Sequence, residues 1–354
     1  MKLIDRYIAK TVLSSIGLVT LMLAGLQIFI LFVNQLDDLG HGDYGIMQAG
    51  LYVLLLTPYQ VYLFFPMASL LGSLIGLGIL AGNRELIIMR AAGMSIGQIT
   101  GAVLKAALVL IVLVTITGET LIPALSHFAN DQRMQAMSGG QALRTARGVW
   151  LRNQNDFISF GRVVSDNTLE RVYQFRFDAS HRMELARKIE RIEYINNEWV
   201  AHNVEETVIS DTQTKAQTIR EMPWDVSIKP AIINVISGEP DEMTLHELRQ
   251  YLRVQNRNHQ AALSYQLAYW QRLVQPFTTV VMMVLAIPFI FGPLRSSTMG
   301  SKLLAGATLG FGFNIVNRFC GPVSQVFQWP PIVAALGPTL IFALIGIYLM
   351  RRVR

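Results

Sequence analysis

Tyr44 to Asn83 reads YGIMQAGLYVLLLTPYQVYLFFPMASLLGSLIGLGILAGN, forty positions without a charge. A bilayer core about 30 Å thick is crossed by roughly 20 apolar residues in a helix, so this run is long enough for one span or for two. Pro58 and Pro66 interrupt it, and Gly40, Gly42 and Gly45 mark a turn-rich approach. The reading is an interfacial approach up to about Thr57, then one span from about Gln60 to Ala81.

The neighbouring runs fall into place around that choice. Thr11 to Leu36 carries no charge and gives span one; Ala91 to Gly118 gives span three, with Lys105 inside it. Arg272 and Arg295 bound span four, Lys302 to Cys320 is span five, and Pro331 to Met350 is span six. With both termini inside, the cytoplasmic segments hold Lys2, Arg6, Lys10, Arg84, Arg90, Arg295, Lys302, Arg351, Arg352 and Arg354. The short outer loops, about 34–50 and 321–330, hold no Lys or Arg, which is the bias expected of a membrane protein oriented by its positive loops. Splitting 44–83 into two spans would move Arg84 and Arg90 outside and spoil it. The N-terminal apolar run lacks a small-residue cleavage site, so it reads as an anchor.

Composition agrees. Of 354 residues, 52% are hydrophobic and only 15% charged, against about 25% charged in soluble proteins, and mean hydropathy is +0.37. The net charge of +6 does not point to nucleic acid, because residues 122–264 carry 17 Lys+Arg against 18 Asp+Glu and the basic excess lies in the apolar part of the chain. One cysteine, Cys320, rules out an intramolecular disulfide and a cysteine-rich metal site.

The insert between spans three and four opens with Pro123 to about Ser138, polar and apolar at helical spacing, which continues span three. From Gly148 the period becomes two: Gly148–Arg152, Phe157–Val163, Arg171–Phe177, Met183–Tyr194, Trp199–Ile209 and Trp224–Ile228. Short strands at this spacing predict an antiparallel sandwich or roll. Thr244 and Glu247 have capping-box spacing and open a helix into span four. The boundaries are 1–138 for spans one to three, 139–242 for the β-domain, and 243–354 for spans four to six.

Enzymatic signatures do not appear. No Gly-Lys dipeptide exists, so a phosphate-binding loop of the GxxxxGK[ST] kind is excluded. His246-Glu247 is the one His-Glu pair, but Gln250 and Tyr251 stand where a second zinc-binding His is needed, and the six His are scattered. Neither catalysis, nor a metal, nor a cofactor is expected.

Three features can carry function. Asn83 to Ser95 spaces Leu86, Ile87, Met89 and Arg90 near helical period, with Gly93 as a stop. With Arg84, Glu85 and Arg90 it suits docking onto a soluble partner; an interfacial helix in the headgroups is the alternative. Glu119, Arg133, Arg272 and Arg318 lie near the outer boundary, where arginines can meet phosphates bidentately or pair locally, for instance with Glu119. Gly72 and Gly76, Gly78 and Gly82, and Gly306 and Gly310 permit close helix approach.

Several segments together resemble a known family. They are Leu3-Ile-Asp-Arg-Tyr-Ile8, Pro66-Met-Ala, Leu-Gly-x-Leu-Ile-Gly-Leu-Gly78, Glu85-Leu-x-x-Met-Arg-Ala-Ala-Gly93, Trp270-x-Arg-x-x-x-Pro276, Phe291-Gly-Pro-Leu-Arg295 and Phe319-Cys-Gly-Pro322. The chain is similar over nearly its whole length to the LptF/LptG permeases of the bacterial lipopolysaccharide exporter, with the opening segment and FGPLR nearer the G type. The resemblance implies a non-catalytic permease subunit in the inner membrane of a Gram-negative cell, serving outer-membrane biogenesis. It implies a sister F-type permease around a shared cavity, two cytoplasmic ATPase subunits, a bitopic periplasmic partner, a periplasmic bridge, and a β-jellyroll in the periplasm.

By motif match, Arg84, Glu85, Met89 and Arg90 form the helix that couples to the ATPase. Arg133 matches a basic position facing the lipid's phosphates. Family members carry lysines late in span one and just beyond, where this chain has Leu31, Asp37 and Asp38; Arg272 and Arg318 are therefore expected to add positive charge from other helices. Leu26, Phe29, Ile30, Phe311 and Ile315 are expected to line the cavity and take acyl chains. The alternatives are a scaffold or mechanotransmission subunit that transports nothing, and a secondary transporter, for which Gln27 and Lys105 are poor mid-membrane candidates.

Overall fold

The computed structural model describes residues 3–137, 149–153, 155–165, 167–178, 182–195, 198–210, 213–226, 240, 243–257, 263–291 and 298–352. Its helices are α1 (Leu3–Asn34), α2 (Ile46–Gly82), α3 (Glu85–Ala91), α4 (Ile96–Met137), α5 (Leu245–Arg257), α6 (Leu263–Phe291), α7 (Met299–Val326) and α8 (Pro331–Arg351), and a 3-10 turn, Leu36–Asp38, follows α1. Six strands lie between α4 and α5: β1 (Val149–Asn153), β2 (Asp156–Ser165), β3 (Thr168–Phe177), β4 (Met183–Ile195), β5 (Glu198–Ile209) and β6 (Thr214–Pro223). The chain divides into two compact units. One holds 1–36, 53–126 and 263–354; the other holds 37–52 and 127–262, and so takes in more than the β insert.

The long uncharged run is one helix. α2 continues for 37 residues through Pro58 and Pro66 and begins well before the expected Gln60. A proline gives up the N–H that would bond the carbonyl four residues earlier. For Pro66 that carbonyl belongs to Tyr62, and Gln275 of α6 donates to it at 2.8 Å. In a membrane such a freed backbone group needs a replacement donor, so the helix passes its proline without an orphan there.

Among the described residues five helices, α1, α2, α4, α6 and α8, are long and apolar enough to cross a membrane. The predicted fifth span falls on α7, which is 28 residues long and carries Lys302, Asn314, Asn317 and Arg318 among its glycines, which lowers its hydropathy. α4 runs for 42 residues, as the helical spacing beyond Pro123 predicts. At 1.5 Å per residue that is about 63 Å, far more than a bilayer core.

Small residues set the packing of the helical unit. A Cβ on Gly72 would collide with the Ile16 Cα, and one on Gly76 would stand 2.9 Å from the Val12 Cα, so α1 and α2 meet backbone to backbone. Gly306 and Gly310 of α7 face Leu74 and Met67 of α2. The core joins Ile8, Val12, Leu74, Ile99, Met282 and Phe342. Polar side chains pair across helices: buried Thr278 with Thr339 at 2.8 Å, half-buried Gln27 with Gln60 at 3.3 Å, and the partly exposed Lys105 with buried Asp5 at 2.5 Å. Lys105 is thus accounted for as half of an α1–α4 ion pair.

In the second unit all six strands form one antiparallel sheet in the order β1-β2-β3-β4-β5-β6. Each described strand pairs with its sequence neighbour, without the crossovers that a jellyroll implies. The sheet is creased. The pairings skip one transverse row, Gly161–Arg171–Glu190–Asn203–Arg220, and Arg171 and Asn203 both take φ 52. A Cβ on Gly161 would lie 2.9 Å from the Arg171 carbonyl. A left-handed residue turns the pleat over, so Leu169 and Val172 on β3 and Ala201 and Val204 on β5 are buried although their spacing is three, and Ile189 and Ile192 on β4 between them are buried at the same spacing.

One row of the covered face is polar. Gln174, Arg187, Glu206 and Gln217 are register partners on β3 to β6. Arg187 bonds Glu206 at 2.6 Å and Asp225 at 2.9 Å, and Arg176 holds Asp156 and Asp225, each at 2.7 Å. Gln217 donates to Glu206, and the Trp224 indole donates to Gln174. The segment after β6 is tied down by these bonds. It is not the strand expected at Trp224–Ile228: Trp224–Val226 is irregular, and the remainder lies outside the described residues.

Candidate functional site

The loop between α2 and α4 forms α3 as the apolar spacing predicts. Arg84 enters it with φ 64. Gly93, φ +90, ends it; its N–H bonds the Arg90 carbonyl and the Met94 N–H bonds that of Met89, the paired closure of a Schellman end. Leu86 is buried and Met89 half-buried, so these anchor the helix. Ile87 and Ile88 are 54% and 65% exposed, and Arg84 and Arg90 are exposed beside them. The Glu85 carboxylate accepts from Asn83 Nδ2 at 3.2 Å, and the Tyr7 hydroxyl of α1 lies near it. An apolar ridge flanked by an oriented acid and two bases is a surface that can dock a soluble protein.

The three predicted cations stand in three different environments. Arg272 on α6 is only 7% exposed; it donates to the Gly118 carbonyl at 3.0 Å and to Glu119 at 3.3 Å. It lines a small recess with Tyr62, Thr115, Glu119, Gln275 and Pro276. Its local pairing with Glu119 is the alternative that the sequence allowed. Arg318 on α7 is exposed, with no hydrogen bond or ion pair among the described residues. Arg133 belongs to the other unit, on the last turns of α4, where it meets Asp38 at 2.5 Å and stacks 5.2 Å above the Tyr52 ring.

The predicted acyl-contact residues all present their side chains outward. Leu26, Phe29 and Ile30 are 56%, 66% and 42% exposed on α1, where Leu18 and Met22 extend the stripe. Phe311 and Ile315 are exposed on α7, continued by Leu304 and Phe319. Stripes of this kind on membrane helices meet lipid or another membrane helix.

A family model described as "Lipopolysaccharide export system permease LptF/LptG" matches residues 6–352. The chain belongs to the LptF/LptG family. It is 36% identical over 353 residues, 99% of its length, to the lipopolysaccharide export system permease protein LptG of Escherichia coli K12, covering 98% of that protein. It is also 36% identical to LptG of Haemophilus influenzae, with 99% of each chain covered.

Within this LptF/LptG chain, several residues that organise the sites escaped the sequence. In the sequence Asp38 stands out only as the replacement of a lysine, yet it is the counterion of Arg133. Tyr52 and Asp5 gave no local signal, because their partners are 81 and 100 positions away. Gln275 was legible in principle, since a mid-helix Pro66 asks for a donor from elsewhere. Arg295 of the FGPLR motif lies outside the described residues.

Proposed function

We propose that this chain is the permease subunit of an ATP-driven exporter that takes lipopolysaccharide from the inner membrane towards a periplasmic bridge. The observation that carries the reading is the family match over residues 6–352, with the LptG relatives aligned from end to end. In this reading α7 is the fifth of six spans and α8 the sixth, both termini are cytoplasmic, and the β-sheet unit is periplasmic; the distribution of Lys and Arg supports that orientation. The chain hydrolyses nothing. It carries no GxxxxGK[ST] loop, and two ATPase subunits, a sister F-type permease and a bitopic partner complete the machine.

The exposed ridge of α3 supports its assignment as the coupling helix, with Glu85 oriented towards the ATPase and Met89 buttressing the fold side. The exposed stripes of α1 and α7 support their assignment as cavity wall for the acyl chains, through Leu26, Phe29, Ile30, Phe311 and Ile315. Arg133 and Arg318 meet the lipid phosphates. Arg272 contributes only if a phosphate draws it from Glu119; otherwise it ties α6 to α4.

The test is to purify the tagged chain in mild detergent and identify all that accompanies it by mass spectrometry. A soluble ATPase, a second permease and lipopolysaccharide are expected, with Glu85→Ala weakening ATPase retention by about tenfold, equivalent to about 1.4 kcal/mol. A periplasmic partner with neither ATPase nor lipid would instead establish a scaffold.

A further inference from the structure

Arg133 is a predicted phosphate ligand whose acidic partner is delivered by a neighbouring loop. Asp38 reaches it from the 3-10 turn after α1, and the segment that delivers Asp38 is built against the end of α4. The Asp43 N–H donates to the Ala136 carbonyl at 2.8 Å. Gly42, φ +59, passes so close that a Cβ there would stand 2.6 Å from the same oxygen. Tyr44 is buried at 1% exposure, and the Tyr52 hydroxyl donates to Asn130 at 3.2 Å. Loop and helix are therefore tied at several points, and Asp38 is presented to Arg133 by that framework.

The contact leaves the guanidinium underused. A guanidinium has five N–H donors in a planar fork. Here one terminal nitrogen bonds one Asp38 oxygen, the Tyr52 ring lies against the cation, the Tyr44 hydroxyl lies nearby, and Nε is buried with no hydrogen-bond partner among the described residues. A phosphate offers more charge and more acceptor oxygens than a carboxylate, and Arg meets it bidentately. The pair is about 29% exposed on each side, so exchange does not require unfolding.

We propose that Asp38 is an internal stand-in for a lipid phosphate on Arg133, so that a phosphorylated amphiphile binds there by displacing the carboxylate and leaves as the carboxylate returns. This rests on Arg133 being a phosphate ligand, as read above. Where a lysine would add attraction, Asp38 adds competition: it weakens the hold on the lipid and makes the contact reversible. Asp37 and Asp43, both exposed nearby, add to the acidity of the surroundings. The consequence is a permease that keeps the arginine oriented while empty and does not trap its cargo.

The experiment measures binding of lipopolysaccharide, and of the same lipid after enzymatic dephosphorylation, to the purified full-length chain with its co-purifying subunits. Asp38→Asn should bind the phosphorylated lipid about 2- to 5-fold more tightly, the range expected from removing a partly exposed ion pair. It should leave the dephosphorylated lipid unchanged, and Asp38→Glu should behave as wild type. Arg133→Gln should weaken the phosphorylated lipid alone. Unchanged or weaker binding by Asp38→Asn at unaltered thermal stability, with Arg133→Gln still weakening it, overturns the role of Asp38 and leaves the phosphate site standing. No effect of Arg133→Gln overturns the site itself. If Asp38→Asn does not fold, Asp38→Ser takes its place in the same comparison.

Discussion

Arg187 and Glu206 are both nearly inaccessible, and each is the other's main counter-charge. Removing Glu206 strips Arg187 of its shorter and more buried partner and leaves it only the partly exposed Asp225; breaking a buried pair costs up to about 3–5 kcal/mol. Glu206→Ala should therefore lower the unfolding temperature of the β-sheet unit sharply, read by limited proteolysis across a temperature series. Burial pushes the Glu206 carboxyl up, but the Gln217 hydrogen bond and the Arg187 guanidinium outweigh it, so it titrates below the ordinary carboxylate range. Asp225 is likewise raised by burial and brought below its usual value by Arg176 and Arg187. Depressed carboxylates stabilise the fold above their unfolded pKa, about 4, and that contribution is lost as pH falls through the lower folded values. Acid should loosen this unit below about pH 4 in wild type, and Glu206→Gln should blunt the change. None of this network was legible in the sequence, because alternation marks a position as inward-facing without saying that a charge there will find its partner on the next strand.

At the scale of elements, the uncharged runs and the glycine spacing were legible because both act locally. The tight α1–α2 contact is the clearest case. Gly72→Ala would put a methyl group against the Ile16 backbone, which cannot rotate away as a side chain can. Overpacking of this kind costs about 1–3 kcal/mol, so detergent-solubilised Gly72→Ala should melt several degrees lower, whereas Gly82→Ala, with open space around it, should not. The β-strands were legible where one face is covered. β6 has no alternation to read, because it is the last of the described strands in the sheet and is exposed along nearly its whole length, so the sequence points to a strand one segment later. The crease was invisible because neither Arg171 nor Asn203 announces a left-handed backbone.

For the whole molecule, membrane character and the inserted β unit followed from composition and period, while the family came from scattered motifs such as Glu85 to Gly93. The sites were legible as residue types but not as pairings. Arg133, Arg272 and Arg318 share a side-chain chemistry, yet one is matched to an aspartate, one to a glutamate, and one is exposed, and only folding decides which. Two exposed apolar stripes on one chain leave a large surface to be covered by lipid or by a partner.

The central claim is that the exposed faces of α1 and α7 hold lipopolysaccharide and give it up when ATP is turned over. The most direct measurement places a photo-crosslinking amino acid at Phe311 in the assembled complex, reconstituted in liposomes with lipopolysaccharide. The account predicts a lipid adduct before ATP that diminishes on adding ATP and persists with a non-hydrolysable analogue. An adduct with phospholipid only, or one indifferent to ATP, would contradict it.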